Sequence, residues 1–135
     1  MRVRSLGLLA RHLLIVTTGS VLDALWIDNA TFMSCAVDKK VQLCRIGDAN
    51  PVRTFTGHED EVNLIRLSKD QSTLASVSDD RTIRIWDMSM AQTQPIIPVG
   101  GTDPAQKCVL RGHVREVCSL GWCPNEGGPQ HMLVT

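Results

Sequence analysis

Ser76, His58 and Asp80 are the three residue types of a nucleophilic triad. A hydroxyl would attack, an imidazole would take its proton, and a carboxylate would orient the imidazole. Such a set would make the chain a serine hydrolase. That chemistry needs more than the right residue types, because the serine must be exposed beside an oxyanion hole. The chain has no G-x-S-x-G turn to present it. A second group, Cys108, His113, Cys118 and Cys123, falls at C-x4-H-x4-C-x4-C, and these are zinc-binding residue types. Structural zinc sites use tighter C-x2–4-C knuckles, however, and residues five apart on a strand point to opposite faces. No P-loop, G-x-G-x-x-G or H-E-x-x-H occurs. The expectation is a protein with no catalytic residues, no metal and no cofactor.

The elements that must position these residues are short and β-rich. Val62 to Leu67, Leu74 to Ser78 and Thr82 to Trp86 have strand length and composition. Ser68-Lys69-Asp70-Gln71-Ser72 and Asp79-Asp80-Arg81 join them with turn chemistry. Upstream, Val21 to Ile27, Thr31 to Ala36, Val41 to Ile46 and Val52 to Phe55 read as four strands. Aligning Ser34 to Asp38 with Ser76 to Asp80 gives a constant offset, 80 − 38 = 42, which also pairs Cys44 with Trp86. Downstream, Met88 to Gln106 holds Pro95, Pro98 and Pro104 and is longer than an ordinary connection. It reads as an insertion in loop or edge conformation. Lys107 to Leu110 reads as an outer strand, Val117 to Trp122 as the next inner strand, Cys123 to Pro129 as a turn-rich run, and His131 to Thr135 as the start of another strand.

Composition narrows the function classes. Lys+Arg 14 against Asp+Glu 14 leaves no net charge, so bulk electrostatics argues for neither nucleic acid nor membrane as a partner. Five cysteines without C-x-x-C spacing read as reduced thiols of an intracellular protein. Residues 1–16 carry Arg2, Arg4 and Arg11 and an apolar run split by Arg11-His12. They are too short to span a bilayer and read as an extension or as the remnant of a preceding unit.

Gly57-His58 at one end, Trp86-Asp87 at the other, and Ser76-Val77-Ser78-Asp79-Asp80 between them resemble a WD40 repeat, one four-stranded blade of a β-propeller. The expected fold class is all-β, a partial WD40 β-propeller of about two four-stranded blades plus part of a third. Residues 17–135 form the repeat region, divided into 17–56, 57–111 with the insertion 88–106, and a partial blade 112–135. The first copy is degenerate, with Cys44 for tryptophan and no Gly-His before Val21. Two blades and part of a third leave end faces uncovered, so the isolated chain is expected to aggregate unless it packs against other blades. The resemblance also implies a buried relay: Asp80 to His58, His58 to a strand hydroxyl, and that hydroxyl to the indole of Trp86. Ser76 is the first candidate for the hydroxyl and Ser78 the second. In that reading the triad residues form a structural clamp, with Trp86 covering the serine.

Finer details are similar to the transducin β-like proteins, the F-box-like WD40 subunits of nuclear corepressor complexes. They are Val41 to Gly47, Pro51 to His58, Glu61-Val62-Asn63, Leu74-Ala75-Ser76, and Trp122-Cys123-Pro124 before a Gly/Pro/Asn insertion. The residues that carry the resemblance belong to the WD40 part of that family and not to its LisH and F-box-like part. The resemblance implies a nuclear, non-catalytic scaffold in transcription corepression and chromatin regulation, part of a histone deacetylase complex. A ubiquitin-ligase substrate adaptor and a cytoplasmic location are the alternatives. Its partners would be proteins: corepressor subunits, histone tails or other basic peptides, with no small-molecule substrate. In such blades the Gly-His loop and the Asp-bearing turn share one rim. That rim would carry Glu59, Asp60, Glu61 and Asp79, offset by Arg81, with Arg115 and Glu116 from the next blade. It is the expected partner-binding surface.

Overall fold

Aspartates set the turns between the strands. Asp28 Oδ1 accepts from the N–H groups of Ala30 and Thr31, both at 2.8 Å. Asp70 Oδ1 accepts from Ser72 N at 3.0 Å and from the hydroxyls of Ser68 and Ser72 at 2.7 and 2.8 Å. Side-chain carboxylates that take up such backbone donors reverse the chain locally. At the next reversal Asp38 Oδ1 accepts from Lys40 N (3.1 Å) and Asp80 Oδ1 from Thr82 N (2.9 Å). The residues between, Lys39 (φ 72°) and Arg81 (φ 70°), both take the left-handed conformation. The two copies therefore turn by the same means.

The computed structural model of the chain describes residues 19–122 and 133–134. Two four-stranded antiparallel sheets form. The first joins β1 (Val21–Trp26), β2 (Thr31–Ala36), β3 (Val41–Arg45) and β4 (Arg53–Phe55) in chain order. The second joins β5 (Val62–Leu67), β6 (Thr73–Ser78), β7 (Ile83–Asp87) and β8 (Gln106–Leu110), also in chain order. A two-stranded piece pairs β9 (Gly121–Trp122) with β10 (Leu133–Val134). The chain is thus all-β, a partial WD40 β-propeller. Among the described residues no helix is long and apolar enough to cross a membrane.

One strand is shorter than its sequence suggests. The composition of Val117 to Trp122 predicts a single inner strand, but only Gly121 and Trp122 pair as one. A strand exists only where it has a ladder partner: Trp122 faces Leu133, Gly121 faces Val134, and among the described residues nothing continues that ladder to face residues 117–120. The Val117 N–H donates to Ser78 O at 3.2 Å, and its carbonyl accepts from Asn63 Nδ2 at 2.9 Å. The leader at 1–16, the run 123–129 and Cys123 lie outside the described residues.

The largest apolar cluster lies between the two sheets. Met33, Cys35, Val41, Leu43 and Phe55 of the first meet Val62, Ile65, Leu74 and Trp86 of the second, and Ala91 and Ala105 close it from the insertion. A second cluster, Ala75, Val77 and Ile83 with Val117 and Leu120, covers the far face of the second sheet. Asp23 Oδ2 links the sheets by accepting from Ile65 N (3.1 Å) and Arg66 Nη1 (2.8 Å). The facing sides of the two sheets bury each other, as stacked repeats do.

Candidate functional site

The second sheet gathers four polar side chains from separate positions. Strand β6 carries Ser76 and β7 carries Trp86. Asp80 sits in the turn between those strands, and His58 lies in the connection before β5. His58 Nδ1 lies 2.8 Å from Asp80 Oδ2, and His58 Nε2 lies 2.6 Å from Ser76 Oγ. Trp86 Nε1 donates to the same Ser76 Oγ at 2.9 Å. The Asp80 carboxylate can only accept, so His58 Nδ1 carries the hydrogen of that bond. With the imidazole kept neutral by burial, Nε2 accepts from the Ser76 hydroxyl, whose oxygen accepts from the indole. Every donor in this chain of bonds has an acceptor. Ser78, the second candidate for the hydroxyl, instead donates to Asp60 O (3.2 Å) and accepts from Asp80 N (3.0 Å).

Electrostatics agrees with that proton arrangement. Burial pushes the His58 imidazole below its ordinary range, and the Asp80 carboxylate only partly offsets this. For Asp80, burial raises the carboxyl, but hydrogen bonds from Thr82, the Glu59 N–H and His58 outweigh it and hold the group at about 2. A carboxylate accepting several donors is stabilised in its charged form. Gly57 makes the approach of His58 possible. Its φ is 150°, and a Cβ there would come 2.8 Å from Arg84 Nη1.

Burial bears on the nucleophile reading. Ser76 and Trp86 are both 0% exposed and His58 is 7% exposed. A serine sealed beneath an indole lacks the exposure that a triad nucleophile needs. Cys108 and Cys118 are exposed free thiols, and among the described residues no three His, Cys, Asp or Glu side chains meet in a metal-binding group. His113, in the second Gly-His pair, is exposed where His58 is buried.

The charged rim is laced together by its backbone. Asp79 N donates to Glu61 O at 3.0 Å, and Glu59 N donates to Asp80 Oδ2 at 3.0 Å. Asp60 Oδ1 accepts from Glu61 N at 2.8 Å, while Asp79 Oδ1 is taken by Asn63 Nδ2 at 2.7 Å. Glu59, Asp60 and Arg81 are exposed, and Glu61 and Asp79 are half-buried. Arg115 and Glu116 are exposed beside Val117, which is tied to Ser78 and Asn63 at this same end of the sheet.

Sequence reasoning missed one strong feature. Arg53 on β4 and Asp103 at the end of the insertion form an ion pair whose side chains are both fully buried. Arg53 Nη1 donates to Asp103 Oδ2 at 3.0 Å, and Nη2 donates to Asp103 Oδ1. The guanidinium also donates to Thr54 O at 2.6 Å and lies 4.6 Å over the Phe55 ring. Arg53 shares a strand face with Phe55, two residues on, which flags it as an inward-facing charge in need of a partner. Nothing in the sequence points to Asp103 as that partner.

Residues 49–87 match the model of the family described as WD domain, G-beta repeat. The WD40 repeat-containing protein HOS15 of Arabidopsis thaliana is 40% identical over 74 residues, which is 55% of this chain and 12% of that protein. The human F-box-like/WD repeat-containing protein TBL1X is 49% identical over 45 residues, 33% of this chain and 8% of that protein. The chain therefore spans only a small part of the relatives it matches. The WD40 β-propeller domain of Doa1 superposes with a TM-score of 0.65 at 24% identity, covering 78% of this chain and 31% of that one. These findings support WD40 repeats and the propeller fold. They do not single out the transducin β-like subfamily, since HOS15 matches over a longer stretch.

Proposed function

We propose that this chain is a segment of a WD40 scaffold that holds protein partners without catalysing a reaction, and that its acidic rim receives a basic peptide. A histone tail or a Lys/Arg-rich corepressor segment in a nuclear assembly is the partner this reading favours. The observation that carries it is the Asp79 N–Glu61 O bond, which holds the acids of two separate loops on one rim. Acids gathered from two loops present a field that one solvated loop does not, and complementary charge sets partner choice and encounter rate. The clamp beneath serves this role, because the same Asp80 that orders His58 also holds Glu59 N and Thr82 N in place.

The test is a charge reversal that spares the fold. Asp79 is engaged by Asn63, so the substitutions to make are Glu59→Lys and Glu61→Lys together. Affinity for lysine-rich peptides of histone-tail sequence should fall by about tenfold or more and lose most of its salt dependence, with thermal melting nearly unchanged. Unaltered affinity for every basic peptide would leave the rim as ordinary solvated surface.

A further inference from the structure

The insertion between β7 and β8 exposes apolar groups on a backbone that is held at both ends. Ile96 is 99% exposed and Val99 108% exposed, the two most exposed large hydrophobic side chains among the described residues. From Gln92 to Thr102 no residue carries a charge, although 21% of the whole chain is charged. On the near side Gln94 Oε1 accepts from Thr54 N, on the open edge of β4, at 2.6 Å. On the far side Asp103 is locked to Arg53. Between these anchors Gly101 N donates to Pro98 O at 2.8 Å, and a Cβ on Gly101 would come 3.0 Å from that oxygen.

Local chemistry dictates the conformation of the ridge. Residues 94–98 belong to no helix, strand or turn. Pro95 and Pro98 fix their own φ near −65°, and each pushes the residue before it, Gln94 and Ile97, towards extended or polyproline II backbone. Gly100, at φ 78°, occupies the third position of the turn 98–101, as a type II turn requires. The second position of such a turn, here Val99, is close to polyproline II as well. Polyproline II has three residues per turn, so Pro95 and Pro98 share one edge, and Ile96 and Val99 share the next.

We infer that Pro95 to Val99 is a docking ridge for a protein that reads polyproline II chain in an aromatic-lined groove. The P-x-x-P spacing supplies the proline edge, and the two exposed aliphatic side chains supply the second. The absence of charge leaves ring and aliphatic contact as the source of recognition. Because both ends are anchored, little chain entropy remains to be lost on docking. This ridge is independent of the acidic rim.

Titration calorimetry of the full chain against purified SH3 and WW domains tests the inference. At least one domain should bind one-to-one. Pro95→Ala with Pro98→Ala should weaken that binding by about tenfold, as should Ile96→Asp with Val99→Asp. The Glu59→Lys, Glu61→Lys variant should keep full affinity. The Asp variant should also melt as the parent does, since its two side chains are solvent-exposed. The inference is overturned if no domain binds, or if binding survives both pairs of substitutions. It also fails if the Asp pair converts a self-associated chain to monomer without affecting any domain, because a second copy would then cover the ridge.

Discussion

The two four-stranded sheets share strand order, turn aspartates and the left-handed residue after Asp38 and Asp80, but they treat one position differently. Ser76 in the second sheet receives the Trp86 indole and faces His58. Its counterpart 42 residues earlier, Ser34, is 1% exposed, and its hydroxyl has no hydrogen-bond partner. Cys44 stands where Trp86 stands in the second copy. The first sheet fills this face with aromatic contact instead, Trp26 meeting Phe32 edge-on at 5.7 Å within a cluster that includes Cys44, Val21 and Ile46. Trp26 Nε1 and Gln42 Oε1 are buried without partners too. The first blade therefore forms its four-stranded sheet without the relay. The relay adds cross-strand fastening, and the second sheet holds the rim.

Removing the indole should separate the sheets most. Trp86→Ala deletes the largest buried side chain and strips Ser76 of a donor, so denaturant titration should show a loss of about 3–5 kcal/mol or more. Cys44→Ala should cost far less, because a thiol has less volume and leaves no relay broken. Equal losses at the two positions would mean that the second blade is no more tightly fastened than the first.

The serines provide a finer contrast. Ser76→Ala leaves Trp86 Nε1 and His58 Nε2 without their shared partner and should cost about 1–3 kcal/mol. Ser34→Ala removes a hydroxyl that already lacks a partner and should be neutral or slightly stabilising. A comparable loss at Ser34, measured the same way, would break the distinction drawn between the blades.

Acid should act through the relay with the smallest effect of the three. His58 is held below its ordinary value, so on acidification the unfolded chain takes its proton first. Stability is complete above about pH 6.5 and declines below it until the folded imidazole itself is protonated. Asp80 at about 2, against an ordinary 3.8, adds a second decline as pH falls from near 4 towards 2. Thermal melts of His58→Gln should lack the upper decline and keep much of the lower one. An upper decline of unchanged size in that variant would place the titrating group elsewhere.

Relations within the short stretch Gly57 to Asp87 were legible from the sequence. Strand length and composition placed the strands, the polar runs placed the turns, and the Gly-His to Trp-Asp frame indicated which side chains share a blade. Ser76 rather than Ser78 was also legible as the first candidate for the hydroxyl, although both lie on one side of β6. Tertiary structure alone decided the remainder. Arg53 and Asp103 are 50 residues apart in sequence, and their meeting depends on how the insertion crosses β4, which no local preference encodes. Val117 bonds through its backbone to Ser78 and Asn63 of the neighbouring sheet, a contact between units that its own sequence does not announce. The same Gly-His pair buries His58, over which Ser76, Asp80 and Trp86 close, and leaves His113 exposed. The sequence by itself determined the repeating unit, because its forces act over a few residues. Packing between units decided which polar groups found partners, because that depends on which surfaces become neighbours.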